Sequence, residues 1–174
     1  MKKYTVRFKE LELGEHWFNF EIDNQFFSEF EKSEIQEGAL TVKVKLFKEE
    51  RIITLDISIE GEVMVMCDRC LDYFGFPIDF EGIVYIKPKY EAEKERTDVF
   101  GVNEDETEIN LAQYFYESIH LSLPLKRVHP NDENGNSTCD KSMLELLEKY
   151  TKKKDEDNID PRWDDLKNLF VERN

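Results

Sequence analysis

Four residues carry most of the chemistry this sequence can offer. Cys67 and Cys70 stand three positions apart in VMVMCDRCLDYFGF (63–76), His129 opens the polar run HPNDENGNSTCD, and Cys139 lies near its end. Thiolate sulfur and imidazole nitrogen are donors that zinc takes in closed tetrahedral shells. A Cys-x-x-Cys on a turn between two strands aims both sulfurs at one ion. That pair is half a shell; Cys139, the only other thiol, and His129 would complete a Cys₃His structural zinc site pinning the polar loop to the strands. The competing reading is that Cys67 and Cys70 pack as small apolar side chains, His129 is a solvated loop residue, and Cys139 closes a core.

Other uses of these residues fit worse. A thioredoxin-like pair needs its first thiol at a helix N-terminus, where the dipole lowers the thiol pKa, but the flanking residues alternate like strands. A zinc deaminase needs Pro-Cys-x-x-Cys and a His-x-Glu. Met66 stands in the proline's place, and none of His16, His120 or His129 has an acid two residues on. His120 falls near the end of an amphipathic stretch and reads as a helix-end or core histidine. Glycine-rich phosphate loops and Gly-x-Ser-x-Gly elbows do not occur, and carboxylates are too numerous to single out a pair. No residue is therefore assigned a catalytic role, and the chain reads as a non-enzyme.

The elements around the cysteines alternate apolar and polar residues. LTVKVKLFKEE (40–50) puts Val42, Val44 and Leu46 on one side and Lys43 and Lys45 on the other. RIITLDISIEGEVMVMC (51–67) continues with Ile53, Leu55, Ile57 and Ile59, and its Glu60-Gly61-Glu62 reads as a turn or bulge. YTVRFKELEL, HWFNFEID and FPIDFEGIVYIKP extend the pattern, with Pro88 as a stop and QFFSEFEKSEI as a short helix lying across the strands. Period then changes: Leu111, Tyr114, Phe115, Ser118 and Ile119 fall at helical spacing after Asn110, a candidate N-cap, with Pro124 limiting the end. KSMLELLEKY reads as another short helix. DPRWDDLKNLF reads as a third, with Asp160 as cap, Pro161 at its first position, and Trp163, Leu166, Leu169 and Phe170 as a stripe expected to dock on the body or on a partner.

The expectation is an α+β fold, with a curved antiparallel β-sheet or partial barrel in the N-terminal half and helices in the C-terminal half. It is one domain over 1–174: a β-rich part (1–90), an acidic connector (91–108), a helical part with the Cys/His loop (109–150), and a charged linker with the terminal helix (151–174). Its 174 residues suffice for one core. A net charge of −15 repels phosphate backbones, and the nearest basic run, Lys152-Lys153-Lys154, is followed at once by Asp155, Glu156 and Asp157. Direct binding to naked RNA is disfavoured and a basic protein partner is favoured. No run reaches membrane-spanning length, and the three cysteines are an odd count, so a soluble chain in a reducing cytoplasm is expected.

CDRCLDYFGFPID, then INLAQYFYESIHLSLPLKRVHP, then Cys139, then DPRWDDLKNL occur in an order that resembles the YceD family of large-subunit ribosomal RNA accumulation proteins. The resemblance covers roughly residues 40–174, and Cys-x-Arg-Cys-Leu with the Leu-Pro-then-His segment is its most specific part. It implies a bacterial or organellar cytosolic factor, encoded near a small basic ribosomal protein, that supports accumulation of the large-subunit ribosomal RNA. Some relatives carry further cysteines in the loop that here holds only Cys139, so His129 would have to serve as the fourth ligand. Two functions from different classes follow. The first is an assembly factor that binds a ribosomal protein or pre-ribosomal particle; the second is a nucleic-acid-processing enzyme acting on precursor ribosomal RNA. Acidity and the lack of a basic groove favour the first.

Overall fold

Alternation of apolar and polar residues decides the architecture. The structure, a computed structural model, describes residues 2–88, 92 and 99–151. Among them the strands are β1 (Thr5–Val6), β2 (Gly14–Ile22), β3 (Gly38–Lys48), β4 (Ile53–Met66), β5 (Tyr73–Pro88), β6 (Val99–Val102) and β7 (Ile109–Asn110). The helices are α1 (Asn24–Ser28), α2 (Ala112–Leu121) and α3 (Lys141–Tyr150), with a 3₁₀ turn over Lys2–Tyr4. Strands β2 to β5 form an antiparallel meander, and β6 joins β5 in parallel, giving the order β2-β3-β4-β5-β6. β1 and β7 pair separately as a short antiparallel ribbon. The fold is thus α+β, with an open, mostly antiparallel five-stranded sheet rather than a closed barrel.

One face of that sheet is the core. Val42, Val44 and Leu46 of β3, Leu55, Ile57 and Ile59 of β4, and Val84 and Ile86 of β5 are all buried. Each such side chain contributes about 1.5–3 kcal/mol relative to exposure. Phe26 and Phe27 of α1, Phe115 and Ile119 of α2, and Tyr4 and Val6 belong to the same cluster. Tyr4 meets Phe26 and Phe115 edge-on, with ring centroids 5.0 and 6.2 Å away, and its hydroxyl donates to the Glu21 carbonyl at 3.2 Å. Burial, then the charges of Asp23 and Glu29, pushes its phenol up to about 12.

The alternate residues face away from this core. Register aligns them across β2, β3, β4 and β5 as Glu15–Phe47–Thr54–Tyr85, Trp17–Lys45–Asp56–Ile83, Asn19–Lys43–Ser58–Glu81 and Glu21–Thr41–Glu60–Asp79.

Several sequence expectations need correcting in detail. Glu60-Gly61-Glu62 is neither turn nor bulge: β4 runs straight through it, Gly61 pairing with Leu40 on one side and Ile78 on the other. Gly61 has φ +149°, and a Cβ there would strike the Ala39 carbonyl oxygen and lie 2.7 Å from the Leu40 Cα. The glycine permits close backbone approach, which in sequence looks the same as a break. The acidic connector contains β6, seeded by Val99 and Phe100 on the edge of the sheet. The helix expected from QFFSEFEKSEI is only α1, capped by the Asp23 carboxylate accepting from the Phe26 N–H. α3 covers KSMLELLEKY as expected, whereas α2 starts one residue later than an Asn110 cap requires. Leu111 takes the cap position, and the Asn110 side chain accepts from the Ala112 N–H at 2.9 Å. The terminal helix with Trp163, Leu166, Leu169 and Phe170 lies outside the described residues.

Gly61→Ala is expected to lower the unfolding free energy by about 2–4 kcal/mol, through strain and collision with β3. A urea midpoint equal to that of the parent protein would refute it.

Candidate metal centre

β4 and β5 outrun the rest of the sheet. The pairing of β3 with β4 stops at Gly38↔Val63, while β4 and β5 stay paired to Met66↔Tyr73, so the two strands continue as a hairpin. Cys67 to Asp72 form its tip. The Cys67 N–H donates to the Asp72 carbonyl at 2.9 Å and the Leu71 N–H to the Cys67 carbonyl at 3.0 Å. Leu71 takes a left-handed conformation, φ 62°, which costs a side-chain-bearing residue on the order of 1 kcal/mol. The Arg69 N–H points at the Cys67 sulfur at 3.5 Å.

A second, smaller hairpin faces the first. Between α2 and α3, Asn131 bridges to Ser137, and the Asp132 Oδ1 accepts from the N–H groups of Asn134 at 2.9 Å and Asn136 at 2.7 Å. Gly135, at φ 82°, supplies the left-handed residue this turn needs. The Asn136 side chain, then its N–H, holds the Asp132 carboxyl below the usual range. His129 and Cys139 stand on the two arms just outside this turn, and Thr138 donates to the Pro130 carbonyl at 2.6 Å. Immediately after Cys139, Asp140 caps α3 by accepting from the Met143 N–H at 2.9 Å.

The two hairpins are clamped together. The Asp68 N–H donates to the Arg127 carbonyl at 2.7 Å, and the Arg127 N–H returns to the Asp68 carboxylate at 2.6 Å. The Arg127 guanidinium reaches Glu34 at 2.8 Å, and the Phe74 ring lies 4.7 Å from that of His129.

The result gathers all four sequence candidates. One donor atom from each of Cys67, Cys70, His129 and Cys139 lies within 4.8 Å of every other. The Cys67 and Cys139 sulfurs are 3.8 Å apart, and His129 Nδ1 is 3.4 Å from the Cys70 sulfur and 3.8 Å from that of Cys139. A tetrahedral zinc with Zn–S bonds of about 2.3 Å has sulfur–sulfur edges of about 3.8 Å. A disulfide instead brings its sulfurs to about 2.0 Å, and all three cysteines are free. The three cysteines are buried and His129 is half-buried. The imidazole thus lies on the thiols with Phe74 beside it, an arrangement compatible with a bound metal ion.

The cluster is electrically asymmetric. Burial acts to push the Cys67 thiol up, but the N–H groups of Cys70, Arg69 and His129, with the His129 ring, outweigh it and bring the thiol down to about 6. Burial pushes the Cys70 thiol up, and the Cys67 and Cys139 sulfurs reinforce it against the N–H groups of Asp72 and Asp140. The geometry thus favours the thiolate at Cys67 and the thiol at Cys70. A bound cation would favour the thiolate form of its sulfur ligands, since metal binding displaces thiol protons.

The other histidines stand apart. His16 bonds the Glu12 carbonyl at 2.8 Å through Nε2. His120 is the helix-end residue expected: its Nδ1 meets the Tyr116 carbonyl at 2.9 Å, and its Nε2 is buried without a partner among the described residues. Sequence reasoning did not find the Asp68–Arg127 clamp or the Phe74 platform, because their partners are far apart along the chain. The hairpin that unites His129 and Cys139 did leave a signal, the Asn134-Gly135 turn pair between them.

Fold and site together define an α+β protein in which a Cys₃His cluster joins the tip of a sheet hairpin to the loop between two helices. The family model described as "Large ribosomal RNA subunit accumulation protein YceD" matches residues 55–170, and the chain belongs to the YceD family. Comparison with curated proteins and with solved structures gave no match.

Because the folded Cys67 pKa of about 6 lies below the ordinary 9.0, its ionisation stabilises the fold fully above pH 9 and loses that effect as pH falls through 6. In metal-free protein, thiolate absorbance should therefore show a step near pH 6 that Cys67→Ser removes. A first step only near pH 9 would refute this.

Proposed function

We propose that this protein is a non-enzymatic, cytoplasmic factor in biogenesis of the large ribosomal subunit, acting through a basic ribosomal protein or a pre-ribosomal particle. Membership of the YceD family carries this reading, since the family is described by accumulation of the large ribosomal RNA. The charge of −15 supports a basic protein partner over bare RNA: it steers cations in and keeps phosphates out. Among the described residues no helix is long and apolar enough to cross a membrane.

In the same reading, Cys67, Cys70, His129 and Cys139 hold a structural zinc ion. Four protein donors close the shell, as in sites that fold a chain, whereas catalytic zinc keeps a position open for water or substrate. Zinc would supply cross-linking without redox chemistry, tying the loop after α2 to the sheet. The chain's own residues do the orienting: Asp68 and Arg127 hold the hairpins in register, and Phe74 fixes the plane of His129. Protein purified without added metal should contain one zinc per chain, and Cys139→Ser or His129→Ala should each lower that content. Zinc well below one per chain would sink the site without touching the family assignment.

Association of the full-length protein with large-subunit precursors should weaken as salt rises, because exposed charges are screened beyond about 10 Å near 0.1 M salt. Co-sedimentation from growing cells at low and high salt measures it, and salt-independent binding would count against the electrostatic part. Specific cleavage of precursor RNA by the purified protein with magnesium would overturn the non-enzymatic reading outright.

A further inference from the structure

We propose that the solvent-facing side of the sheet is a docking surface for a basic protein segment in which arginine or lysine alternates with apolar side chains. This rests on the reading above and adds the place and the chemistry of the contact. Trp17 is 62% exposed, Ile83 50%, and Phe47 and Tyr85 40% each. They are not scattered: Trp17 and Ile83 belong to one cross-strand row, and Phe47 and Tyr85 to the next. A depression of about 670 Å³ lies between Trp17 and Ile83, with Lys43, Lys45, Asp56 and Glu81 on its walls. Trp17 and Phe47 on one side and Ile83 and Tyr85 on the other flank a polar middle of Lys45, Asp56 and Thr54, so apolar and charged side chains alternate across the face, as in protein-binding surfaces.

Charge selects the partner. The four rows of this face carry Glu15, Glu21, Asp56, Glu60, Asp79 and Glu81 against only Lys43 and Lys45. Both lysines are already engaged. Lys45 bonds Glu15 at 2.8 Å and stands 5.5 Å from the centre of the Trp17 ring, and Lys43 lies 3.8 Å from Glu60. Among the described residues, Asp56, Glu81, Glu21 and Asp79 have no ion pair. Cations entering beside Trp17 would find Asp56 and Glu81 unpaired, while apolar side chains between them would cover Trp17 and Ile83. The lysine already held at the indole shows the kind of contact an incoming arginine would make. A second copy of this chain would set acid against acid. The chain's own 160–174 segment carries Asp160, Asp164, Asp165 and Glu172 against Arg162, Lys167 and Arg173. RNA would bring further negative charge.

The test uses full-length protein with Trp163→Phe, which leaves Trp17 as the sole indole. Its emission should be that of exposed indole in the free protein, and should shift to the blue on titration with a synthetic peptide alternating arginine and leucine. A peptide with serine in place of leucine should bind more weakly. The double variant Asp56→Asn with Glu81→Gln should melt like the parent yet weaken binding by about tenfold and flatten its salt dependence, as loss of interface charge does. Unchanged affinity in that variant would overturn the proposal. So would buried-type emission in the free protein, since this chain or a second copy would then cover the face, and so would a stronger response to single-stranded RNA than to the peptide. The same double variant then goes into the co-sedimentation experiment. If parent and variant both associate with precursors, the surface is wrong and the biogenesis reading stands. If the parent itself does not associate, that reading falls and takes the docking surface with it.

Discussion

The register between β4 and β5 is the constraint on which the rest depends. From Ile53↔Ile86 to Met66↔Tyr73 it assigns every residue of two long strands to one face or the other. A slip of one residue would turn Leu55, Ile57 and Ile59 to solvent and drive Asp56 and Glu60 into the core. An unpaired buried carboxylate costs far more than the apolar contacts it displaces contribute, so the core locks the pairing. That lock extends to the hairpin tip, where Cys67 must meet Asp72 for the turn to close. The precision of the Cys₃His cluster is therefore inherited from hydrophobic packing many residues away.

What was legible in the sequence follows the range of the interactions concerned. The central strands could be read because their period of two is written in adjacent residues, and α3 because a short amphipathic run starts straight after Asp140. Gly61 was misread because a glycine needed for close backbone approach looks the same in sequence as one needed for a turn. β6 was hidden because its parallel pairing with β5 is non-local and its apolar side chains, Val99, Phe100 and Val102, stand in an acidic run. The four donors were legible by type, and the turn at Asn134-Gly135 was available to unite two of them. Nothing local announced that Asp68 would find Arg127.

The same contrast of range runs through the electrostatics. The chain is acidic throughout, yet the donor cluster sits where positive dipoles converge: N–H groups of Arg69, Cys70 and His129 favour the Cys67 thiolate, and Arg127 stands beside the tip. Three thiolates and a neutral imidazole around a divalent zinc would leave one negative charge. In a chain already at −15 those inward-pointing N–H groups offset it locally, without changing the acidic field that the outer face presents to a partner.

The loop after α2 is attached by a few polar and ring contacts more than by burial. Between α2 and α3 run residues 122–140, of which only Cys139 is buried. Fixing backbone costs about 1–2 kcal/mol per residue, and burial of Cys139 with partial packing of Leu123 and Val128 against the core returns only part of that. The ion pairs of Arg127 are partly solvated and contribute on the order of 0–1 kcal/mol each. Hydrogen bonds around Asp132 shape the turn internally without attaching it to the sheet. What attaches it are the two Asp68–Arg127 hydrogen bonds, the Phe74–His129 ring contact and the four converging donors. A structural zinc held by those donors would add an apparent binding energy of about 10–16 kcal/mol at neutral pH, more than the other attachments together.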